Sequence, residues 1–121
     1  MDTKSLRVEE HRDLNQKEIA LMEWLLIETG HSELMAQIER TRVVSKCSCG
    51  CPTIDLKVDG INETPLSLHL SAIGSSPEGI QVEVLLHVRK GMLFCLEAYP
   101  LHRTYSFSFP EVKDLKKISE T

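Results

Sequence analysis

The hydrophobic pattern of the first third of the chain has helical spacing. Asn15-Gln16-Lys17-Glu18 has the form of a capping box, in which Asn15 accepts from first-turn amides and Glu18 reaches back. The helix that begins there is expected to run to about Thr29, with Gly30 as the left-handed residue that ends it. A second, shorter helix is expected over Glu33–Arg40, capped by Ser32. These segments predict a two-helix hairpin.

After Arg42 the apolar residues alternate with polar ones, which is the period of a β-strand. The phase of the alternation changes around Gly50-Cys51-Pro52, which predicts a hairpin turn or a bulge there. A three-residue turn at Arg89-Lys90-Gly91 would keep the apolar residues of the last hairpin on one face. The residues expected on that face include Val84, Leu86, Phe94 and Leu96. Residues 101–109 are ambiguous, because Tyr105, Phe107 and Phe109 alternate like a short strand.

Helices followed by strands are typical of an α+β fold. We expect an N-terminal two-helix hairpin packed on one face of a four- to five-stranded antiparallel sheet. The expected organisation is a flexible N-terminal arm over residues 1–14, a single α+β domain over 15–110 and a polar C-terminal tail over 111–121.

The net charge and the hydropathy of the chain limit the kinds of molecule that we expect it to bind. The chain has 121 residues, with 14 Lys and Arg against 18 Asp and Glu, which gives a formal charge of −4. This balance argues against sequence-independent binding to nucleic acid or to an anionic membrane. The longest apolar run, Ile19–Ile27, is interrupted by Glu23 and is far shorter than the ~20 residues of a membrane span. With no export signal recognised, we expect a cytoplasmic protein with reduced thiols.

Three of the four cysteines, Cys47, Cys49 and Cys51, lie within five residues. This spacing is too cramped for a disulfide framework, and thiols brought together by a turn at Gly50 could bind zinc. Zinc requires a fourth ligand, for which Cys95, His69 or another histidine is available. The simpler interpretation, which we favour, is that the cysteines pack as small apolar residues in the sheet, and thiol redox chemistry is a further alternative.

A second constellation lies on the strands of the last hairpin. The three-residue turn would place Glu83 opposite Glu97, with His87 on the same face and Tyr99 nearby, and His69 would face the same way on its own strand. Two carboxylates held together raise the pKa of one of them, which suits proton transfer or metal binding. The favoured interpretation is nevertheless an ordinary solvated sheet face, on which polar residues are expected.

The stretch Cys47-Ser48-Cys49-Gly50-Cys51-Pro52-Thr53-Ile54-Asp55-Leu56, followed by Leu96-Glu97-Ala98-Tyr99, resembles a known pattern. Over about residues 15–110 the chain is similar to a group of small bacterial conserved proteins of unknown function. These combine a helical start, a C-x-C-G-C-(P/A)-(S/T)-(I/V)-(D/E)-L stretch and a later L-E-x-Y strand. Residues 101–109 depart from the ending typical of that group. The resemblance implies the fold and emphasises both motifs, but it implies no mechanism.

No complete catalytic motif is present: the sequence lacks G-x-S-x-G, a P-loop, G-x-G-x-x-G and H-E-x-x-H, so no catalytic residue is assigned. The favoured expectation is a non-enzymatic binding or interaction module whose open sheet face or edge binds a protein partner or a second copy as a homodimer. One alternative is a metal or thiol site at the three clustered cysteines. The other is a small enzyme that uses Glu83, Glu97 and His87.

Overall fold

The computed structural model describes residues 7–104 and 106–118, and its strands form one antiparallel sheet. The strand order across the sheet is β1-β2-β3-β6-β5-β4-β7. The strands are β1 (Arg7–Asp13), β2 (Thr41–Cys47), β3 (Ile54–Val58), β4 (Leu68–Ser75), β5 (Gln81–Arg89), β6 (Met92–Pro100) and β7 (Leu115–Lys117).

The expected four- to five-stranded sheet with an N-terminal two-helix hairpin is wrong, because the sheet has seven strands and β1 precedes the helices. The two additional strands come from the segments assigned to a flexible arm and a polar tail. Strand β1 carries charges at most positions, and most of its residues are exposed. Such an edge strand has no alternation of apolar and polar residues from which it could be predicted. It is fixed to the first helix by Arg12, which donates to both carboxylate oxygens of the buried Glu18 at 2.9 and 2.8 Å.

The first helix, α1 (Gln16–Glu28), confirms the predicted capping box. Glu18 N donates to Asn15 Oδ1 at 2.8 Å, and Asn15 N donates to Glu18 Oε1 at 3.0 Å. The second helical segment, Ser32–Arg40, is a 3₁₀ helix without a side-chain cap, so the predicted Ser32 cap is wrong. A short 3₁₀ turn, Val112–Asp114, precedes β7. No helix in the described ranges has the length and apolar character needed to cross a bilayer.

The hydrophobic core lies between the helices and one face of the sheet. Strand side chains alternate between this inner face and the opposite face, which we call the outer face. Burying each Leu or Met contributes roughly 1.5–3 kcal/mol, so this layer is the main source of stability. The fully buried residues of the core include Leu21, Met22, Leu25 and Leu26 of α1 and Val43, Ala72, Val82, Val84, Leu86 and Leu96 of the strands.

The hairpin of β5 and β6 corrects the predicted turn and register. The turn has two residues, Lys90 and Gly91, with φ of 55° and 80°, as a type I′ turn requires. One additional residue in β6, Phe94, then bulges out between the pairs His87↔Cys95 and Val88↔Leu93. Because of the bulge, the apolar side chains of the rest of β6 still point to the inner face, although the turn has two residues and not three. Phe94 is therefore 41% exposed rather than inward-facing.

The segment after β6 forms no strand within residues 101–104 and 106–109. Phe107 and Phe109 are nevertheless buried. Tyr105, the first residue of the predicted alternation, lies outside the described residues. At Phe107 and Phe109 the alternation of aromatic residues therefore reflects side chains that are buried in the core, and not a further strand of the sheet.

Candidate metal centre

The clustered cysteines lie in the loop that joins β2 and β3. Cys47 N donates to Thr53 O at 3.1 Å and closes the loop at its base. Gly50, with φ of 99°, allows the sharp turn between Cys49 and Cys51. The side chain of Thr53 is buried, and its Oγ1 accepts from Ala98 N at 3.0 Å, which fixes the loop to β6. The cysteine loop is therefore anchored to the sheet at its base.

The loop brings the three cysteine sulfurs together. The Sγ atoms of Cys47, Cys49 and Cys51 all lie within 4.8 Å of one another, and those of Cys49 and Cys51 are 3.0 Å apart. Sulfurs bound to one tetrahedral zinc at ~2.3 Å lie roughly 3.8 Å apart, so small adjustments bring all three onto one ion. Cys49 N also donates to Cys47 Sγ at 3.4 Å, which orients this sulfur within the loop. We name these three residues the thiol cluster.

The thiol cluster borders an open pocket of about 300 Å³. Arg7 and Glu97 line the same pocket, so the two constellations recognised in the sequence meet here. Cys49 is exposed and Cys51 is partly exposed, so an ion from solvent can approach the cluster at these two sulfurs. Within the described ranges no fourth Cys, His, Asp or Glu ligand atom joins the three sulfurs at that distance.

Cys95, considered from sequence as a fourth ligand, has a different environment. It pairs with Asp55 on β3 and with His87 on β5. Burial raises the pKa of the Cys95 thiol to about 12, and the neighbouring Asp55 carboxylate adds to the shift. Such a thiol stays protonated at neutral pH, so it is a poor metal ligand.

Asp55 is the centre of a polar network that the sequence analysis missed. Its Oδ2 accepts from Arg7 Nε at 2.9 Å and from Ser45 Oγ at 2.5 Å. Burial alone would lower the pKa of Arg7, but the pairing with Asp55 outweighs it and raises that pKa. Arg7 also lies directly opposite Cys47 across the β1–β2 ladder, so its positive charge is held beside the thiol cluster.

The five residues proposed as a polar patch divide into two groups. His87 Nε2 and Glu97 Oε1 are 2.8 Å apart, and the rings of His69 and His87 have centroids 6.1 Å apart. Glu83 is opposite Tyr99 rather than Glu97, because the two-residue turn and the bulge shift the register. The predicted pair of facing carboxylates is therefore absent from this hairpin.

Two features of this region had no clear signal in the sequence. Arg7 belongs to a strand that the apolar pattern does not reveal, and the pairing of Asp55 depends on the order of strands in the sheet. A charged segment followed by a capping box could have indicated an edge strand, since charges protect exposed edges. Comparisons with known proteins add no assignment: no family model, no curated protein and no solved structure matches the chain.

Proposed function

We propose that the protein binds a thiophilic divalent metal ion, with Zn²⁺ as the expected ion, through Cys47, Cys49 and Cys51. The observation that carries the proposal is the convergence of the three sulfurs within 4.8 Å at an accessible loop. Thiolates are the ligands that Zn²⁺ prefers in cysteine-rich sites.

The charges around the loop fit a thiolate–metal centre. Three thiolates and one Zn²⁺ carry a net charge of −1. Arg7, which is paired with Asp55, lines the same pocket and offers its remaining N–H groups to the sulfurs. The anchoring of Thr53 to Ala98 holds the loop in place, which limits the entropy lost when the ion binds.

The fourth coordination position would open toward the 300 Å³ pocket. Water, an external thiol or the Glu97 carboxylate after a rotamer change would occupy it. Because three thiolates already neutralise the ion, its bound water is less acidic than on a His₃ site. An open trithiolate site therefore suits metal storage, sensing or transfer better than hydrolysis.

Metal titration of the reduced protein tests the proposal. Under anaerobic conditions Co²⁺ should bind at one equivalent with thiolate-to-cobalt charge-transfer absorption, and Zn²⁺ should displace it. Cys49→Ser should weaken Zn²⁺ binding by at least about 100-fold, measured by competition with a chromogenic chelator. Cys95→Ser is the matched control and should change the affinity by less than about threefold, because its protonated thiol is no ligand.

Binding below about 0.2 equivalents of Zn²⁺, or equal losses in the two variants, would contradict the proposal. A second candidate, thiol redox chemistry, is favoured by the 3.0 Å separation of the Cys49 and Cys51 sulfurs. It predicts instead that mild oxidation of the metal-free protein removes two mass units and that Cys51→Ser abolishes this loss.

The interaction module and homodimer expected from the sequence stay predictions. Partners that add a strand would pair at β1 or β7. Strand β1 is charged and has a register shift between Glu9 and Arg12, and β7 has three residues. Such features protect sheet edges against pairing. The small-enzyme hypothesis loses its facing Glu83 and Glu97 pair and retains the contact between His87 and Glu97.

A further inference from the structure

Strands β3 and β6 are paired along only part of their length. Their register contains two pairs, Ile54↔Leu96 and Asp55↔Cys95. Beyond these, Leu56–Val58 and Met92–Phe94 face each other without ladder hydrogen bonds. A sheet interrupted at its centre leaves backbone groups that need other partners.

The buried side chain of Gln37 satisfies part of this need. Leu93 N donates to Gln37 Oε1 at 3.0 Å, and Gln37 Nε2 donates to Gly91 O at 2.7 Å. The Gln37 amide, which belongs to the helical layer, thus forms hydrogen bonds with β6 that a neighbouring strand would otherwise form. The gap between the strands is held open by a satisfied hydrogen-bond network, so it is a built feature of the fold.

The gap opens into a cavity of about 610 Å³. This volume lies within the range of roughly 300–1,000 Å³ that is usual for small-molecule sites. Its walls include the apolar side chains of Leu56, Met92 and Leu93. Phe94, pushed outward by the bulge, lines it with a 41% exposed ring. The cavity therefore offers an apolar wall and a flat aromatic surface.

Its charged lining is entirely positive. Lys57, Arg89 and Lys90 line the cavity and no acidic residue does. Arg42 lies directly opposite Lys57 across the β2–β3 ladder, an arrangement of like charges that destabilises a sheet. Among the described residues, the ion pairs of this group are limited to Lys90 with Glu63 at 3.9 Å. The whole chain has a formal charge of −4, so the charge around this cavity is opposite in sign to that of the protein.

Arg89 and Phe94 are arranged for the same ligand. The Arg89 guanidinium carbon lies 4.7 Å from the centre of the Phe94 ring. This contact holds the guanidinium in the lining of the cavity, where its N–H groups can bind an anion. A ring placed against Phe94 would bring its anionic substituent to Arg89 and Lys57.

We infer that this cavity binds an organic anion that joins a flat apolar body to a sulfonate, phosphate or carboxylate group. The site lies outside the thiol cluster and needs no metal, so it is independent of the proposed metal binding.

The probe is 8-anilinonaphthalene-1-sulfonate, whose binding is followed by fluorescence and mapped by NMR amide shifts on the metal-free protein. We expect one saturable site with the largest shifts at residues 56–58 and 92–94. Binding should weaken at least about tenfold in the double variant Lys57→Gln/Arg89→Gln and in Phe94→Ala. The control Lys113→Gln/Lys116→Gln removes the same charge from exposed positions and should bind as the wild type does. N-phenyl-1-naphthylamine, which has the same rings without the sulfonate, should bind at least about tenfold more weakly.

Equal binding by the two double variants, or the largest shifts elsewhere on the protein, would overturn the inference. Tight binding of the neutral probe would also overturn it, by showing an apolar site without a role for the cations. All substituted side chains are exposed, and urea midpoints within error of the wild type establish that a weakened variant is folded.

Discussion

The seam between β3 and β6 has two ends, and they are built differently. At the closed end, where Ile54 and Asp55 pair with Leu96 and Cys95, the Thr53 hydroxyl extends the hydrogen bonding to the base of the cysteine loop. At the open end, beyond Asp55, the strands separate around Gln37 and a cavity lined by cations. At the closed end, the paired strands hold the loop that carries the three sulfurs. At the open end, the ladder between β3 and β6 is interrupted, which creates space for a ligand. The same pair of strands thus supplies two kinds of site.

The closed end is tested by the reactivity of its thiols. With a pKa near 12 and a buried side chain, Cys95 should react with iodoacetamide at pH 8 at least about 1,000-fold more slowly than an exposed cysteine. Cys49 provides the comparison within the same protein. Peptide mass spectrometry of timed samples measures both rates, and urea should remove the difference. Similar rates in the folded protein would show that the closed end is open to solvent.

The open end is tested by removing its hydrogen-bonding amide. Gln37→Leu leaves Leu93 N and Gly91 O buried without their partner, which should lower the free energy of unfolding by about 2–4 kcal/mol. Urea denaturation measures the change. Gln81→Leu makes the same substitution at an exposed position and should cost less than about 0.5 kcal/mol. Equal effects would mean that the Gln37 amide does not hold the gap.

The turn beside the open end is tested by a pair of glycines. Both Gly91 and Gly79 have positive φ, but a Cβ at Gly91 would overlap Thr64 Oγ1, whereas nothing lies near one at Gly79. Gly91→Ala should therefore destabilise by about 3 kcal/mol and Gly79→Ala by about 1 kcal/mol. The difference between these two losses of stability, measured by thermal or urea unfolding, gives the contribution of the contact between the turn and the loop that contains Thr64. Equal costs would show that this contact is unimportant.

The smallest effect concerns the segment that covers the cysteine loop. Phe107 N donates to Gly50 O at 3.4 Å, and next to it Ser108 donates to Glu78 through its backbone N–H and its hydroxyl at 3.0 and 2.7 Å. The backbone N–H, followed by the hydroxyl, lowers the pKa of Glu78 from 4.5 to about 2. A carboxyl group whose pKa is lower in the folded than in the unfolded protein stabilises the fold at pH values above its unfolded pKa. This stabilisation is lost as the pH falls through about 2, the folded pKa of Glu78.

The difference in unfolding free energy between wild type and Glu78→Gln should therefore be present at pH 6 and decline from about pH 4.5 downward. Unfolding curves of both proteins across this pH range measure the difference. A constant difference between wild type and Glu78→Gln would contradict the contact with Ser108.

Local patterns predicted those parts of the fold that local interactions determine. The capping box at Asn15 and the alternation from Val82 to Val88 both formed as expected. The register of β6 did not, because the bulge at Phe94 accompanies an amide contributed by Gln37, 54 residues before Gly91. Strand β1 was missed because an edge strand needs backbone pairing and little apolar alternation.

The candidate site was predictable only in its parts. The spacing of Cys47, Cys49 and Cys51 predicted a metal or thiol site only as an alternative to simple packing, and a turn at Gly50 was needed to gather the sulfurs. The presence of Arg7 and Glu97 in the same pocket depends on the order of strands across the sheet. Strand order is a long-range property, so no motif in the chain reports it.

X-ray absorption at the zinc edge counts the atoms bound to the ion and therefore tests the three-sulfur site itself. On the protein loaded with one equivalent of Zn²⁺, we expect three sulfur ligands at about 2.3 Å and one oxygen or nitrogen ligand. Cys49→Ser should reduce the sulfur count by one or abolish binding. A shell of oxygen and nitrogen alone, or a sulfur count that Cys49→Ser leaves unchanged, would show that the thiol cluster does not bind zinc.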